Sequence, residues 1–333
     1  MTGKSRKSVS ELAVNLISDR WLCTSASQLT SENEMNPAEL EVSKKCHIYL
    51  VCERPAIQFD PKDFKFEGGA VSGSIIYRIG GEEHREAFNI PFPLKDGAVR
   101  VALSPYPHRE IQTFDEKNEL IRYLPANVVS VGEHRQSVEH AFRKLKVLYV
   151  GQSFAGGNRS AFVRLRSHAT LQKILADAAY HRPDSEIMVI AVEYLPYRML
   201  AVFNGQIAGA ESAGIDEKRF HDAYSTKIKM GQQVSLTEAA LIKYFQPEYN
   251  KIYKKKFPSR ELTILAECYK LNFSALVVEL NTDEINFLTY SDSVAPSTHH
   301  ISNVSLVDDE QRDSFFRFID KSGAYTERPT RAK

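Results

Sequence analysis

The chain is poor in the features that mark disulfide scaffolds, zinc modules and membrane proteins. Its 333 residues include four cysteines and one tryptophan. Cys23, Cys46, Cys52 and Cys268 are scattered at spacings that fit no usual zinc motif, so we expect reduced thiols in a cytoplasmic protein. The longest apolar runs, such as 275–280, are far shorter than the roughly 20 residues of a membrane-spanning helix. The basic first residues are followed by no apolar segment, so we expect no secretory signal.

An excess of one charge is also missing. Lysine and arginine total 43, aspartate and glutamate total 42, and the formal net charge is +1. This balance excludes a protein that binds nucleic acid over its whole surface. The basic residues are unevenly placed, with one cluster at 251–257 and another formed by Arg159, Arg164 and Arg166. Such clusters fit a local contact with phosphates, and they fit an ordinary solvated surface almost as well.

The pattern along the chain predicts an α+β fold with a β-rich N-terminal part. Short β-branched runs separated by glycine, proline and aspartate begin at residue 46 and are typical of a small antiparallel β unit. We therefore divide the chain into five parts. They are a helical leader and linker (1–45), a β-rich accessory domain (46–125), a core (126–260), a hairpin-and-helix extension (261–320) and a disordered tail (321–333).

Hydrophobic periodicity and turn residues predict the individual elements. Helices are expected at 11–22, 113–124, 136–145, 161–179, 235–245 and 314–319. Strands are expected at 127–131, 146–150 and 186–195, and a hairpin is expected from 273–280 and 284–290. The segment 197–214 fits neither pattern, and we interpret it as an insertion or lid.

Three segments, LYVGQS, VRLRSH and EAALIKYFQPEYN, carry residue types that suit metal-assisted cleavage of a phosphodiester. They supply a tyrosine and a glycine at a strand end, an arginine and a histidine one helical turn apart, and a glutamate and an asparagine around a later helix. In chain order these residues are Tyr149, Gly151, Arg164, His168, Glu238 and Asn250.

In their order and on their predicted elements, these segments resemble the GIY-YIG nuclease superfamily. That family has a strand ending in GIY, a strand ending in YIG, a helix with Arg and His, and a helix with a metal-binding Glu, followed by an Asn after a Pro. The chain offers YVG at 149–151, then Arg164 with His168, then Glu238, then Pro247 and Asn250, over roughly residues 126–256. The GIY triplet has no clear counterpart, because VVSV at 128–131 stands where it would lie and lacks the tyrosine. The loop between Gly151 and Arg164 is also longer than is usual for the family.

The resemblance implies a small three-stranded sheet flanked by helices and a role for each residue. Gly151 would let the backbone approach a phosphate, and Arg164 would bind the phosphate as it gains negative charge. Glu238 would hold one Mg²⁺ or Mn²⁺ ion, while Tyr149 or His168 would orient or deprotonate the attacking water. Asn250 would fix neighbouring side chains or a phosphate. A lysine cluster would add sequence-independent phosphate contacts, and it consists of Lys254, Lys255 and Lys256.

Each of these residues also has a purely structural interpretation. The sequence SLTE ending at Glu238 is a capping box, in which the glutamate would bond the start of its own helix. Tyr149 fits a half-buried sheet aromatic, His168 a capping or surface histidine, and Arg164 a solvated charge. The remaining residues fit local roles equally well: Gly151 as a turn glycine, Asn250 as a loop residue, and the lysine cluster as an exposed helix end.

The function predicted from these observations is a metal-dependent endonuclease acting on DNA. Two alternatives stay open, a catalytically inactive nucleic-acid-binding module that retains the fold, and a structural or regulatory subunit whose β-rich domain does the work. We expect DNA as the partner, no membrane contact, and a protein partner or self-association through the β-rich domain.

Overall fold

The computed structural model describes residues 9–29, 35–131, 141–154, 161–203, 213–259, 261–307 and residue 315. These residues form a mixed α+β architecture that consists mostly of sheet. The strands are β1 (Ser10–Ser25), β2 (Cys46–Pro55), β3 (Gln58–Phe59), β4 (Lys65–Glu67), β5 (Ala70–Ile79), β6 (Glu82–Pro91), β7 (Arg100–Leu103), β8 (Glu110–Phe114), β9 (Leu120–Pro125), β10 (Lys144–Gln152), β11 (Ser185–Tyr194), β12 (Arg198–Phe203), β13 (Ala275–Asn281), β14 (Leu288–Ser291), β15 (Val294–Ser297) and β16 (His299–Ser305). The helices are α1 (Pro37–Lys45), α2 (Ala126–Val131), α3 (Ala161–Leu165), α4 (Ala169–His181), α5 (Ala213–Ser225), α6 (Met230–Phe245) and α7 (Ala266–Lys270).

Nine strands form one large sheet in the order β15-β14-β10-β2-β11-β1-β13-β16, with β12 also paired to β1. The pairs β1–β13 and β10–β14 are parallel, and the others are antiparallel. Strand β2 lies between β10 and β11 and is antiparallel to both. Segments from both ends of the chain therefore meet in this sheet.

The large sheet is covered on both faces, and this explains the nearly continuous apolar sequence of β2. Because side chains alternate along a strand, Ile48 and Leu50 pack with α6 on one face. Tyr49 and Val51 pack with α3 and α4 on the other face. A strand buried on both faces gives an apolar run rather than an alternating pattern.

Two small sheets with a core of their own follow β2. One has the order β3-β5-β4 with β6 paired to β5, and the other has the order β7-β8-β9. Their shared core includes Phe59, Ile75 and Ile111 together with Phe142. Since β2 belongs to the large sheet, the β-rich unit predicted from residue 46 has separate sheets only from Gln58 to Pro125.

Two predicted helices in the first half of the chain are wrong. Residues 11–22 lie within β1, where Leu12, Val14 and Leu16 are buried. A buried strand and a buried helix cannot be told apart by a short apolar pattern alone. Residues 113–124 form most of the hairpin β8–β9, because Asp115 Oδ1 accepts the backbone N–H groups of 117 and 119 and closes a tight turn.

The predicted strand at 127–131 is also wrong, because these residues form the short helix α2. It therefore cannot supply the missing first strand of the family motif. The predicted hairpin at 273–290 fails as well, because β13 pairs with β1 and β16 while β14 pairs with β10 and β15. The predicted helix at 161–179 is divided into α3 and α4.

Other predictions are confirmed or lie partly outside the described residues. The strands at 146–150 and 186–195 correspond to β10 and β11, and the helix at 235–245 is part of α6. The segment 197–214 contains β12 and the start of α5, with 204–212 outside the described residues. Half of 136–145 and most of 314–319 also lie outside, and the described half of the first segment forms a short 3-10 helix at 141–143 and the start of β10.

The four cysteines are free, and three of them are buried. In the part of the chain that the structure describes, no helix has both the length and the apolar character needed to cross a bilayer.

Candidate functional site

Gly151 and Tyr49 form a cross-strand pair at the centre of the candidate site. A Cβ atom added to Gly151 would lie 2.6 Å from the Tyr49 hydroxyl oxygen and 2.7 Å from Cε1 of Tyr149. Real Cβ atoms do not approach other atoms so closely. The lack of a side chain at Gly151 therefore leaves room for two phenol rings. Tyr49 occupies the space beside the Gly151 backbone in which the resemblance predicts a phosphate.

Tyr49 is the residue that the sequence analysis missed. Its ring centroid lies 6.2 Å from that of Tyr149 and 5.9 Å from that of His168. The signal in the sequence is the triplet HIY at 47–49, at the start of a buried apolar run. The segment 128–131, where the family motif predicts the tyrosine, lies close to YVG in the chain, whereas two small sheets separate β2 from β10.

Arg164 and His168 converge on this tyrosine pair from two different helices. The expectation that they share one helix face is wrong, because α3 ends at Leu165 and His168 is the N-cap of α4. The His168 ring lies 5.3 Å from the Tyr149 ring, centroid to centroid. Arg164 is exposed, and its positive charge lowers the pKa of Tyr49 against the larger effect of burial. Both residues therefore lie near the tyrosine pair, but they come from two helices rather than from one helix face.

His168 also has the capping role considered as its structural interpretation. Its Nδ1 atom accepts a hydrogen bond from the Leu171 N–H at 3.4 Å. A neutral imidazole has one donor and one acceptor nitrogen, so the proton of a neutral His168 ring lies on Nε2. This tautomer presents a hydrogen-bond donor at Nε2 rather than a base.

Glu238 lies in the middle of α6 and not in its first turn. The helix begins at Met230 with Lys229 as its N-cap, and Ser235 Oγ donates to the Gly231 carbonyl at 3.0 Å. The capping-box interpretation is therefore wrong. The Glu238 carboxylate instead accepts a hydrogen bond of 2.8 Å from Gln152 Nε2, directly after Gly151 in β10.

Glu238 is only 8% exposed, and the environment of its carboxyl favours the protonated form. Burial raises its pKa to about 7, although the Gln152 hydrogen bonds and the Arg164 charge act in the opposite direction. Among the described residues, Gln152 and Arg164 are the groups that favour the charged form of this carboxyl, and a bound cation would favour it further.

Electrostatic effects place Glu238 in the same neighbourhood as the phenols. Burial and then the Glu238 charge raise the pKa of Tyr149, while Arg164 lowers it. The pKa of Tyr49 is raised chiefly by burial, with Arg164 again opposing the shift and Glu238 adding to it. Burial and Glu238 also raise the pKa of Tyr253, a third phenol that the sequence analysis did not single out. The carboxylate and the guanidinium therefore lie on the same side of the molecule.

Asn250 holds the strand that carries the site. Its Oδ1 atom accepts the Val150 N–H at 2.9 Å, and its Nδ2 atom donates to the Val150 carbonyl at 2.8 Å. Strand β14 pairs with β10 only as far as Lys146, so the Asn250 amide takes the place of a neighbouring strand further along. Asn250 is buried, and the residue that it bonds, Val150, lies between Tyr149 and Gly151 in the chain. Asn250 is therefore a positioning residue rather than a phosphate ligand.

The lysine cluster lies in turns beyond α6, so its interpretation as a helix end is wrong. Lys255 and Lys256 are exposed, while Lys254 is half-buried and its carbonyl accepts a hydrogen bond from Gln246 Nε2 at 3.1 Å. The cluster follows Asn250 closely in the chain and so adjoins the site.

The residues present fit a divalent cation that keeps most of its water shell. Among the described residues, no group of three or more His, Cys, Asp or Glu side chains could hold a metal ion. The candidate donor is the single buried carboxylate of Glu238. Mg²⁺ is commonly bound through one or two carboxylates and retains several waters, and this matches the donor set.

No protein-family model matches the chain, and comparisons with curated proteins and with solved structures give no match. A function must therefore be argued from the site itself.

Proposed function

We propose that the protein is a metal-dependent endonuclease that hydrolyses DNA phosphodiester bonds through a GIY-YIG-like site. The observation that carries this proposal is the pairing of Tyr49 with Gly151 beside Tyr149. It supports assigning the HIY triplet of β2 to the family's first motif, for which the sequence analysis found no tyrosine. In this proposal, β10, β2 and β11 are the small three-stranded sheet, and α3, α4 and α6 are its flanking helices.

Arg164 binds the scissile phosphate in this proposal. Its side chain is exposed, whereas Glu238 is buried, so Arg164 is open to a substrate phosphate. A planar fork of donors suits an oxyanion that gains negative charge in the transition state. The Arg164 charge lowers the pKa of both Tyr49 and Tyr149, so a phosphate bound by this fork would lie near the phenol pair.

Glu238 would hold the Mg²⁺ or Mn²⁺ ion, which when bound would supply Lewis-acid stabilisation of the leaving oxygen. Gln152 orients the carboxylate through the hydrogen bond of 2.8 Å. Because the free carboxylate raises the pKa of Tyr149, a cation on Glu238 would lower that pKa and increase the share of phenolate, the form that can accept a proton.

Tyr149 and His168 share the handling of the attacking water. Since the His168 ring presents a donor at Nε2, its role is to orient the water by donating a hydrogen bond. Tyr149, as the phenolate, is the candidate proton acceptor, and the neighbouring Tyr49 lowers its pKa against the raising effects of burial and Glu238. Asn250 positions the backbone next to Tyr149 through its two hydrogen bonds to Val150.

The test compares Glu238→Gln with the matched variant Glu217→Gln, which changes an exposed glutamate of α5. We expect wild type and Glu217→Gln to nick supercoiled plasmid in Mg²⁺ or Mn²⁺. Glu238→Gln should lose nicking and still bind DNA in a gel-shift titration. Arg164→Ala should lose nicking as well, because Arg164 is the guanidinium that the described residues bring to the phenol pair.

Two results would contradict the proposal in different ways. Unchanged nicking by Glu238→Gln removes the metal assignment. Salt-sensitive DNA binding by wild type, with no cleavage in either metal, favours the alternative of an inactive binding protein that retains the fold.

A further inference from the structure

A cavity of about 260 Å³ lies where the two small sheets meet the large one. It opens beyond the end of β2 that is farther from Tyr49, beside Ala56, whose N–H donates to the Asp184 carbonyl at 2.8 Å. None of the residues assigned to the nuclease site lines it. The side chains that matter for its chemistry are Gln58, Arg78, Glu83, Tyr106, Arg109 and Asp184.

The rim of this cavity carries an aromatic ring that the fold leaves in solvent. Tyr106 is 84% exposed, more than any other large hydrophobic or aromatic side chain among the described residues. The edge-to-face arrangement with His108, at 6.1 Å between ring centroids, leaves ring surface open to solvent. An open aromatic face beside a cavity is a surface on which a planar ligand can stack.

The lining is electrically balanced and carries both donors and acceptors. Arg78 lies 3.7 Å from Glu83 and 4.0 Å from Asp184, so these charges largely offset one another. Among the described residues, the side chains of Gln58 and Arg109 have no hydrogen-bond or ion-pair partner. The cavity thus presents an unengaged amide and an unengaged guanidinium, together with carboxylate acceptors.

These properties select one chemical class of ligand. A free phosphate is disfavoured because two acidic side chains accompany the two arginines, and an apolar ligand is disfavoured by the polar lining. The volume is below the roughly 300 Å³ at which drug-sized sites begin. A single nucleobase is small, planar and neutral, and it has an edge of donors and acceptors that amide, guanidinium and carboxylate groups recognise.

We propose that this cavity binds one unpaired nucleobase of the nucleic-acid substrate, with Tyr106 stacking on the base and Gln58 and Arg109 contacting its edge. The inference rests on the proposed nuclease function and adds a substrate class, nucleic acid with an unpaired or extruded base. Stacking on the exposed ring selects the unpaired base because a paired base is already stacked in its duplex.

The position of the cavity also sets a distance to the cleavage site. Seven residues of extended chain separate Tyr49 from Ala56, which is about 23 Å at roughly 3.3 Å per residue. At about 3.4 Å per nucleotide along a duplex strand, this corresponds to roughly seven nucleotides between the bound base and the cut.

The first experiment measures binding by fluorescence anisotropy in EDTA, so that it does not depend on cleavage. The probes are a duplex with a single bulged adenine and the same duplex fully paired. We expect wild type to prefer the bulged duplex and Tyr106→Ala to bind it roughly 5- to 150-fold more weakly, as for loss of one base–aromatic stack. The matched control is Tyr123→Ala, an exposed tyrosine of β9 that does not line the cavity, and its binding should be unchanged.

A second measurement separates failure of this inference from failure of the nuclease proposal. Saturation-transfer NMR with adenosine and with cytidine, which carry no phosphate, should show transfer to wild type that Tyr106→Ala and Gln58→Leu both lose. If these nucleosides bind in this way while no DNA is cleaved, the cavity is a base site and the nuclease proposal fails. If DNA is cleaved while neither nucleoside binds, or Tyr106→Ala weakens both duplexes equally, the base site is refuted and the nuclease proposal stands.

Discussion

Replacing Glu238 with glutamine should abolish cleavage and, at pH 8, make the protein more stable. Both effects arise from the buried carboxylate. In the folded protein, burial raises the Glu238 pKa from its ordinary value of 4.5 to about 7. Between these two pH values the folded state holds a proton that the unfolded state has released. The free energy of unfolding therefore falls as pH rises through this interval, and the loss is complete above pH 7.

The size of this effect follows from the interval itself. At about 1.4 kcal/mol per pH unit, an interval from 4.5 to about 7 corresponds to a loss of about 3 to 4 kcal/mol in wild type. Glutamine has nearly the same shape and no titrating proton, so Glu238→Gln does not suffer this loss. A functional group can lower the stability of the folded protein, and the buried Glu238 carboxylate would do so at pH 8.

The assay is urea unfolding of wild type and Glu238→Gln at pH 5 and pH 8 in EDTA. Because other titrating groups are common to both proteins, they cancel in the comparison. The stability of the variant relative to wild type should rise by about 2 to 3 kcal/mol between the two pH values. Added Mg²⁺ should stabilise wild type at pH 8 and leave the variant unchanged. A relative stability that is the same at both pH values would refute the burial argument.

Three further predictions concern the groups around the carboxylate. Asn250→Ala should destabilise the protein by about 2 to 4 kcal/mol in urea unfolding, because it leaves one buried donor and one buried acceptor unsatisfied, whereas Asn89→Ala on an exposed face of β6 should change stability by less than about 0.5 kcal/mol. Gly151→Ala should cost about 1 to 3 kcal/mol and much of the cleavage activity, since its Cβ would collide with the ring of Tyr49, while Gly214→Ala has open space and should be tolerated; equal behaviour of the two glycine variants would contradict the close packing. Changing all three residues of the lysine cluster to glutamine should lower the slope of log binding constant against log salt by up to about 2.7, and an unchanged slope would show that the cluster does not contact phosphates.

Features that depend on a short stretch of chain could be predicted from the sequence. The strand at 146–150, the strand at 186–195 and the helix around Glu238 were found because the periodicity of each is contained within its own residues. The residue types of the candidate site were also recognised, since a tyrosine, an arginine, a histidine and a glutamate are informative wherever they lie. Two predictions about the helices that carry these residues are wrong, namely the capping box at Glu238 and the shared helix of Arg164 and His168. Both depend on where a helix begins, which the sequence defines poorly.

Tertiary structure alone decided which segments meet. Tyr49 can be read directly from the sequence, but its cross-strand partner Gly151 cannot. The two meet because β2 pairs with β10, although two small sheets lie between these strands along the chain. Local preference determines that a segment is a strand and says little about which distant strand it joins. The raised pKa of Glu238 is likewise a property of burial, which exists only once α6 packs against β10. The sequence by itself determined the chemical groups, and the packing of the large sheet determined that they share one environment.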